Sequence, residues 1–260
     1  LHAQKMEHVA MLERSVAERT QQLAETNSDL RRVNEDLEQF AYSASHDLQE
    51  PLRNVTAYGE LFRKVYEGKI DAQADEFLGY MVNSAKRMET LLKDLRIYTN
   101  ATLASEPTST VHAEIVLRRT LMALDGSIRE TGATITFDPL PTLEIREVHL
   151  QQLFQNLIGN AMKYRKGDQP PVVHVAAEKQ GGDWVFSVTD NGIGIAPRHF
   201  KRIFGVFQRL HTAEKYSGTG IGLAICQKVV ERYGGRIWVE SQLGQGTTFH
   251  FALPSRDLLT

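Results

Sequence analysis

DNGIGIAP (residues 190–197) and SGTGIGLAI (residues 217–225) are two glycine clusters, and the second runs directly into a predicted helix. Backbone amides without side chains, beside a helix N-terminus, form a natural cradle for phosphate. Glycines also serve in tight turns at strand ends, and for either cluster alone that alternative is equally good. The second cluster lacks the Gly-Lys-Ser/Thr ending of a Walker loop, and no strand followed by a spaced acidic residue marks a dinucleotide fold. Both common nucleotide-binding folds are therefore disfavoured.

A third segment, QNLIGNAMKY (residues 155–164), lies on a predicted helix. Asn156 and Asn160 are four residues apart, so their amide oxygens project from one face and can share a hard cation such as magnesium. Lys163 adds a positive charge beside the same face. Asparagine pairs on exposed helix faces are ordinary, so the metal site is favoured only in combination with the two glycine clusters.

The residues around these segments predict a domain that begins near residue 111, an α+β sandwich with helices on one face of a mixed sheet. Phe204 and Phe207, three apart on a predicted short helix, are expected to join its core, and direct contact with a ligand is the less favoured alternative. Predicted helices cover residues 114–131, 147–164 and 220–233, and predicted strands cover residues 134–138 and 142–145 and the segments VVHVAAEK, WVFSVTD, RIWVES and TTFHFAL.

The first hundred residues contain one proline, Pro51, and three glycines, so this part is predicted to be helical. Apolar residues recur every seven positions over about five heptads, which predicts a coiled coil in residues 1–39. The repeat shifts after Phe40, and residues 78–95 again carry apolar side chains three and four apart. One hairpin of two such helices buries too little apolar surface alone. We therefore predict that two copies complete a four-helix bundle, as a homodimer.

Two polar stretches interrupt the helical pattern. YEGKIDAQ (residues 66–73) is predicted to be a turn between helices, with Gly68 near a C-cap and Asp71 as an N-cap. NATLASEPTST (residues 100–110) is small and polar and is typical of a linker.

Composition excludes several classes of partner. Lys and Arg total 30 against 32 Asp and Glu, and this balance gives no broad attraction for nucleic acid or anionic lipid. No run of ~20 apolar residues occurs, so we expect no direct membrane contact from this chain. The one cysteine, Cys226, cannot form an intrachain disulfide, which favours a reducing, cytoplasmic location. The chain begins with Leu1, and we interpret it as a piece of a longer protein.

The ordered segments NLIGNAMKY, DNGIGI, IFGVFQRL and GTGIGLAI resemble the N, first glycine, F and second glycine boxes of the sensor histidine kinases, whose ATP-binding domain has the Bergerat fold. HDLQEPL (residues 46–52) is similar to the H box of that family, on its first dimerisation helix. The resemblance covers the whole chain and is strongest to kinases that follow PAS, GAF or phytochrome sensors. It implies a coiled-coil signalling helix (1–39), a dimerisation and histidine-phosphotransfer hairpin (40–100), a linker (101–110) and a catalytic ATP-binding domain (111–256).

The resemblance implies that a nitrogen of His46 takes a phosphoryl group from ATP and passes it to an aspartate on the receiver domain of a response regulator. Asp47 is expected to orient or deprotonate the other ring nitrogen. Helix periodicity places His46 about 200° from Ala44 and Leu48, so the imidazole should point into solvent, where it is largely neutral at pH 7 and nucleophilic. An upstream sensor domain in the full-length protein is a further implied partner.

ATP and Mg²⁺ are the cofactors that the resemblance implies. Asp190 is expected to hydrogen-bond the adenine amino group, the asparagine pair to hold magnesium, and Lys163 to stabilise phosphoryl charge. Tyr164 either stacks on adenine or is a core aromatic. Thr247 and Thr248 either reach adenine through water or are ordinary edge-strand residues, and Thr248 is the one assigned to the site. LHTAEKYSG (residues 210–218) is expected to be a mobile lid. The residues expected to shape the pocket and phosphate lid are Gly192, Gly194, Gly218, Thr219, Gly220 and Gly222.

Two departures from related families bear on the activity. Glu50 stands four residues after the histidine, where relatives with phosphatase activity commonly have Thr or Asn, and its charge disfavours that activity. Hydrolytic relatives place a glutamate base one turn before the metal-binding asparagine; this chain has Gln152 or Asn156 there, and neither is a base. A clamp-type ATPase therefore remains a less favoured alternative, and so does an inactive nucleotide-binding scaffold, against which the complete set of motifs argues.

Overall fold

The computed structural model describes residues 2–66, 68–69, 71–103, 107–210 and 218–255. Several side chains of the first helix are not part of this description, among them those of residues 28–40 and of His46. The predicted coiled-coil seam in that stretch, the predicted orientation of the histidine, and residues 211–217 of the predicted lid therefore lie outside the described residues.

Two long helices form a hairpin, α1 (His2–Tyr66) and α2 (Ala72–Leu103). The predicted turn between them is confirmed: Gly68 has a positive φ of 70°, and Oδ1 of Asp71 accepts a hydrogen bond of 2.7 Å from the amide of Ala74. The helices approach closely at Gly59, where a Cβ atom would lie 2.9 Å from Cγ2 of Val82. Long apolar repeats on both helices explain why they pair.

The C-terminal part alternates strands and helices. Its described elements are, in order, β1 (Ser109–His112), α3 (Ala113–Ala123), α4 (Asp125–Thr131), β2 (Thr134–Phe137), β3 (Thr142–Ile145), α5 (Glu147–Lys163), β4 (Val172–Gln180), β5 (Asp183–Asp190), α6 (Gly222–Arg232), β6 (Arg236–Gln242) and β7 (Gly246–Pro254). Short 3₁₀ turns at Pro197–His199 and Arg202–Phe204 lie between β5 and α6.

Five of the described strands form one mixed sheet in the order β2-β4-β5-β7-β6, with β2 and β4 parallel and the other pairs antiparallel. Alternate residues of these strands point toward α5 and α6, and the fully buried Phe154, Phe186 and Phe251 stand where helix and sheet meet. Phe186 and Phe251 stack at 4.7 Å. The predicted α+β sandwich is confirmed.

Two local predictions differ from the structure. The stretch expected as a linker is shorter, because α2 continues to Leu103 and β1 begins at Ser109. β1 pairs with β3 as a separate antiparallel ribbon, and its polar sequence, with one buried residue, carries no alternation that predicts a strand. The single helix predicted for residues 114–131 is broken at Leu124, next to Asp125 and Gly126, which are poor helix formers. The domain boundaries themselves stay predictions.

The last turns of α2 pack against the sandwich. Leu91, Leu95 and Tyr98 are partly buried against its core, and the ammonium group of Lys228 on α6 lies 4.2 Å from the ring centre of Tyr98. Within the described parts of the chain, no helix combines the length and apolar character needed to cross a bilayer.

Candidate active site

A cleft opens between α5, the loop after β5 and the start of α6. About 590 Å³ of space, including solvent at its open mouth, lies between its walls. Apolar and polar side chains share its walls. The residues that line it are Asn160, Tyr164, Asp190, Ile193, Gly194, Ile195, Ile203, Gln208, Arg209, Leu210, Leu223, Thr247 and Phe249.

Asp190 ends β5 at the inner wall of this cleft. Its Oδ1 accepts hydrogen bonds from the amides of Gly192 at 2.7 Å and Thr247 at 3.1 Å. Burial raises the pKa of this carboxyl to about 6, although the two amides and the charge of Lys166 oppose the shift. Neither bond uses Oδ2, so this oxygen is left to accept a hydrogen bond from a ligand.

The loop after Asp190 is tightly enclosed. A Cβ atom on Gly192 would lie 2.4 Å from the carbonyl oxygen of Tyr164, and one on Gly194, whose φ is 72°, would lie 2.1 Å from the carbonyl oxygen of Gln242. The amide of Ile193 donates to the Tyr164 carbonyl at 2.9 Å. Because only glycine fits these approaches, the loop is fixed between the end of α5 and the turn after β6.

The predicted asparagine pair divides into two roles. Asn160 lines the cleft, whereas Nδ2 of Asn156 donates to the carbonyl of Gly222 at 3.1 Å and joins α5 to the start of α6. In the described part of the chain, no cluster of three or more His, Cys, Asp or Glu side chains is arranged to hold a metal ion. A hard cation here therefore depends on side-chain amide oxygens, for which Asn160 is the residue on the cleft wall, together with oxygens from a ligand and water.

Lys163 and the second glycine cluster face each other. The ammonium group of Lys163 lies 4.4 Å from the ring centre of Tyr164 and would be 2.7 Å from a Cβ atom on Gly218. Residues 218–221 lead into α6, whose first-turn amides are free of intrahelical partners. We define residues 218–222 as the phosphate loop, since a cation and a helix N-terminus meet there.

Thr219 of the phosphate loop is bonded outside the cleft. Its hydroxyl donates a 2.6 Å hydrogen bond to Oδ2 of Asp94 on α2, and the amide of Ile221 lies 3.4 Å from the same hydroxyl oxygen. Asp94 was not expected from sequence reasoning. It lies 125 residues from Thr219, and nothing in the local pattern of α2 links the two.

Among adjacent threonines in β7, the one that lines the cleft is Thr247. Thr248 instead pairs with Thr189 across the strands, with 3.1 Å between their hydroxyl oxygens. Successive side chains of a strand point to opposite faces, so only one of two neighbours can reach a given site. The structure thus places Thr248 away from the cleft, and its assignment to the site is wrong. The error arose because the register of the strand was not predictable from the sequence.

The two phenylalanines between the glycine clusters also differ. Phe204 packs edge-on against Phe249 at 6.4 Å, as expected of a core residue. Phe207 is 57% exposed and has a positive φ of 61°, so its predicted place in the core is wrong. The short helix ends at Phe204, and the turn that follows carries Phe207 outward.

The predicted acceptor histidine lies on α1, five residues before Pro51. Asp47 is exposed, and Ser45 is buried with its hydroxyl bonded to the carbonyl of Ala41 at 2.6 Å. Pro51 has no amide hydrogen, so the carbonyl of Asp47 receives no helical hydrogen bond from it. A groove between α1 and α2 follows the histidine, and it is lined by Gln49, Glu50, Arg53, Glu89, Lys93 and Arg96.

Comparison with known proteins matches two families to two parts of the chain. The family described as "Histidine kinase-, DNA gyrase B-, and HSP90-like ATPase" matches residues 145–257. The family described as "His Kinase A (phospho-acceptor) domain" matches residues 36–102. Between them they cover the second half of α1, nearly all of α2 and most of the sandwich.

Among curated relatives, cyanobacterial phytochrome A of Nostoc sp. is 47% identical over 239 residues, covering 92% of this chain and 31% of the relative. The methanogenesis regulatory histidine kinase FilI of Methanothrix harundinacea is 31% identical over 237 residues, covering 90% of this chain and 26% of that relative. The chain thus spans less than a third of the length of either. A solved structure of full-length ShkA in complex with AMPPNP is 29% identical, with a TM-score of 0.65 over 83% of this chain and 45% of that one. With a phospho-acceptor hairpin and a histidine-kinase-like ATPase domain in one polypeptide, the chain belongs to the sensor histidine kinases.

Proposed function

We propose that the protein is an ATP-dependent protein-histidine kinase that phosphorylates its own His46 and passes the phosphoryl group to an aspartate of a response regulator. One observation carries the proposal: the same chain contains a cleft with an acceptor carboxylate and, packed against the core of the same sandwich through α2, the helix pair that bears the HDLQEPL segment.

The cleft suits an adenine nucleotide. Oδ2 of Asp190 would accept a hydrogen bond from the adenine amino group, and the apolar walls would enclose the ring. Lys163 and the amides of the phosphate loop, including Gly218 and Gly220, would hold the phosphates. Tyr164 lines the same space. This assignment agrees with the order of the segments NLIGNAMKY, DNGIGI, IFGVFQRL and GTGIGLAI along the chain.

Asn160 would hold Mg²⁺ together with phosphate oxygens, and Asn156 would act on the metal site indirectly, through its bond to Gly222. When bound, the ion neutralises charge on the transferring phosphoryl group. In the transfer, a ring nitrogen of His46 forms a bond to the γ-phosphorus while the bond to the β–γ bridging oxygen breaks, and ADP leaves. Asp47 would hold the proton on the other ring nitrogen and so favour the reactive tautomer.

A homodimer is part of the proposal. Large apolar side chains are exposed at heptad-like spacing along both helices of the hairpin, and a second copy would cover them. They are Leu48, Val55 and Phe62 on α1 and Phe77, Met81 and Met88 on α2. An upstream sensor domain is proposed from the phytochrome relative, and a cytoplasmic location from the proposed receiver-domain partner and the single, buried Cys226.

The test is incubation with γ-labelled ATP and Mg²⁺. We expect label on the protein that is lost in acid and stable in alkali, and that moves to a purified receiver domain. His46→Gln should abolish it, whereas His174→Gln, a matched change on the exposed sheet surface, should leave it intact. Label that survives in His46→Gln would refute the assignment. Steady phosphate release without protein label would favour a clamp-type ATPase instead.

A further inference from the structure

The phosphate loop is held by the hairpin as well as by its own domain. The hydroxyl of Thr219 donates to Oδ2 of Asp94 at 2.6 Å. One turn later on α2, the ring of Tyr98 receives the ammonium group of Lys228 at 4.2 Å. Asp94 and Tyr98 are four residues apart and therefore share one helix face. This face spans both the loop and α6, so the bond is part of a built contact.

Apolar packing surrounds the Asp94 bond. Leu91 and Leu95 are partly buried against the sandwich core, and Thr99, one turn beyond, is 1% exposed. Burial raises the pKa of Asp94, while the bond to Thr219 and the charge of Lys93 oppose that shift. A half-buried carboxylate is costly unless it is hydrogen-bonded, and the Thr219 hydroxyl supplies that bond.

The contact has an electrostatic consequence for an anionic ligand. Thr219 has one hydroxyl hydrogen, and Asp94 takes it, so the hydroxyl cannot donate to a phosphate oxygen at the same time. The Asp94 carboxylate also places a negative charge beside the loop, which repels phosphate. Lys163 attracts phosphate to the same loop from the other side. The loop therefore faces opposing charges from the hairpin and from α5.

We propose that Asp94 is a positioning residue through which the hairpin and the nucleotide phosphates compete for the phosphate loop. The inference rests on the proposed nucleotide site. While Asp94 holds Thr219, the loop has a lowered affinity for phosphate; when phosphate binds, the bond between Thr219 and Asp94 is released, which loosens the contact between the loop and α2. By thermodynamic linkage, the Asp94–Thr219 contact weakens phosphate binding by the same factor as phosphate binding weakens the contact.

The experiment measures binding of two probes, AMPPNP and adenosine, by titration calorimetry on the whole chain. Adenosine would occupy the Asp190 end of the cleft but has no phosphate. Asp94→Asn removes the charge and should tighten AMPPNP binding by about 10-fold, a typical coupling between sites, while adenosine binding stays unchanged. Asp94→Ala, which also removes the hydrogen-bond acceptor of Thr219, should tighten AMPPNP binding at least as much.

Glu76→Gln is the matched control, since it neutralises an exposed carboxylate near the other end of α2. A kinetic measurement tests whether Asp94 positions the phosphate loop or only supports the fold. For autophosphorylation, the KM for ATP should be about 10-fold lower in Asp94→Asn than in the wild type, while kcat at saturating ATP stays within about 2-fold of the wild-type value. The reason is that saturating ATP displaces the Asp94–Thr219 contact in the wild type too.

Unchanged or weaker AMPPNP binding in both Asp94 variants would overturn the inference while leaving the proposed function intact. Equal tightening of AMPPNP and adenosine would also overturn it, because it would show a general effect of loosening α2. Failure of the wild-type chain to bind AMPPNP at all would overturn the proposed nucleotide site, and the inference with it.

Discussion

At the scale of single residues, Asp190 illustrates how a binding group is held at a cost to stability. Two backbone amides stabilise its charge, yet burial still raises its pKa to about 6. The ordinary value is 3.8, so the folded protein binds this proton more tightly than the unfolded chain does. The stability that this group contributes is complete below about pH 4 and is lost as the pH rises through about 6.

Asp190→Asn should therefore stabilise the protein without nucleotide at pH 7.5. The shift from 3.8 to about 6 corresponds to at most about 3 kcal/mol, and partial exposure reduces the expected gain to about 1–2 kcal/mol. Both tryptophans, Trp184 and Trp238, lie in the sheet, so urea unfolding followed by tryptophan fluorescence measures the relevant domain. Nucleotide binding should fall, because an amide nitrogen replaces an acceptor oxygen.

The pH profile supplies the control for that prediction. Below about pH 4 Asp190 is protonated in both states, so the wild type and Asp190→Asn should converge in free energy of unfolding. If the two profiles ran parallel from pH 4 to 7.5, the stability difference would have another origin, and burial of the Asp190 charge would not be its cause.

The two asparagines of α5 allow a second test at this scale. Asn156→Ala removes the bond to the Gly222 carbonyl and should lower the free energy of unfolding by about 1 kcal/mol. Asn160→Ala, on the cleft wall, should change stability little but raise the Mg²⁺ concentration needed for half-maximal labelling of the protein. Equal Mg²⁺ dependence in Asn160→Ala and wild type would contradict a role in holding the ion.

What the sequence reveals at this scale depends on whether the signal is local. Asp190 and Asn160 lie in short motifs, and both line the cleft. Both Thr247 and Thr248 are candidates from the sequence, and the one that lines the cleft is Thr247 and not the assigned Thr248. The choice between these neighbours depends on the pairing of Thr248 with Thr189, a long-range contact. Asp94 was missed for the same reason, since its partner lies in another domain.

At the scale of elements, the loop after β5 owes its shape to backbone crowding. Gly194 and Gly181 both have positive φ, 72° and 61°, so an alanine strains the backbone at either position. They differ in surroundings: a Cβ atom on Gly194 would lie 2.1 Å from the Gln242 carbonyl oxygen, while nothing lies within 4 Å at Gly181. The pair separates backbone strain from steric collision.

Gly194→Ala should therefore be far more damaging than Gly181→Ala. The strain common to both costs about 1 kcal/mol, and the collision at Gly194 adds to it by displacing the loop from the turn after β6. We expect Gly194→Ala to lose nucleotide binding and several degrees of melting temperature, and Gly181→Ala to keep full binding. Similar effects of the two changes would show that crowding against Gln242 does not shape the loop.

Helices with long apolar repeats could be predicted from the sequence, whereas a strand whose formation depends on pairing with a distant strand could not. The helices of the hairpin, α5 and α6 carry repeated apolar positions and were expected. The ribbon strand β1 is four residues long with one buried side chain, so its existence depends on its partner β3 rather than on its own pattern. The break at Leu124 likewise reflects weak helix formers beside it.

At the scale of the whole molecule, the hairpin and the sandwich differ in how complete they are. The sandwich encloses a continuous core of buried aromatic and aliphatic side chains. In the hairpin, Val82 and Ala85 are the described apolar side chains that are buried, and rows of larger ones remain exposed on both helices. Two helices with so little enclosed surface need a further partner to be stable, which a second copy would provide.

Val55→Lys combined with Met81→Lys should therefore convert the dimer to a monomer. Val55 is 53% and Met81 is 62% exposed in the single chain, and four buried charges in a two-fold bundle are strongly unfavourable. Met122→Lys is the control, because Met122 is 77% exposed on α3 of the sandwich and should leave the dimer intact. Sedimentation velocity measures the mass, and tryptophan fluorescence checks that the sandwich stays folded. If the double variant sedimented as a dimer, these rows would not be the subunit contact, and the exposed apolar surface of the hairpin would need a different partner.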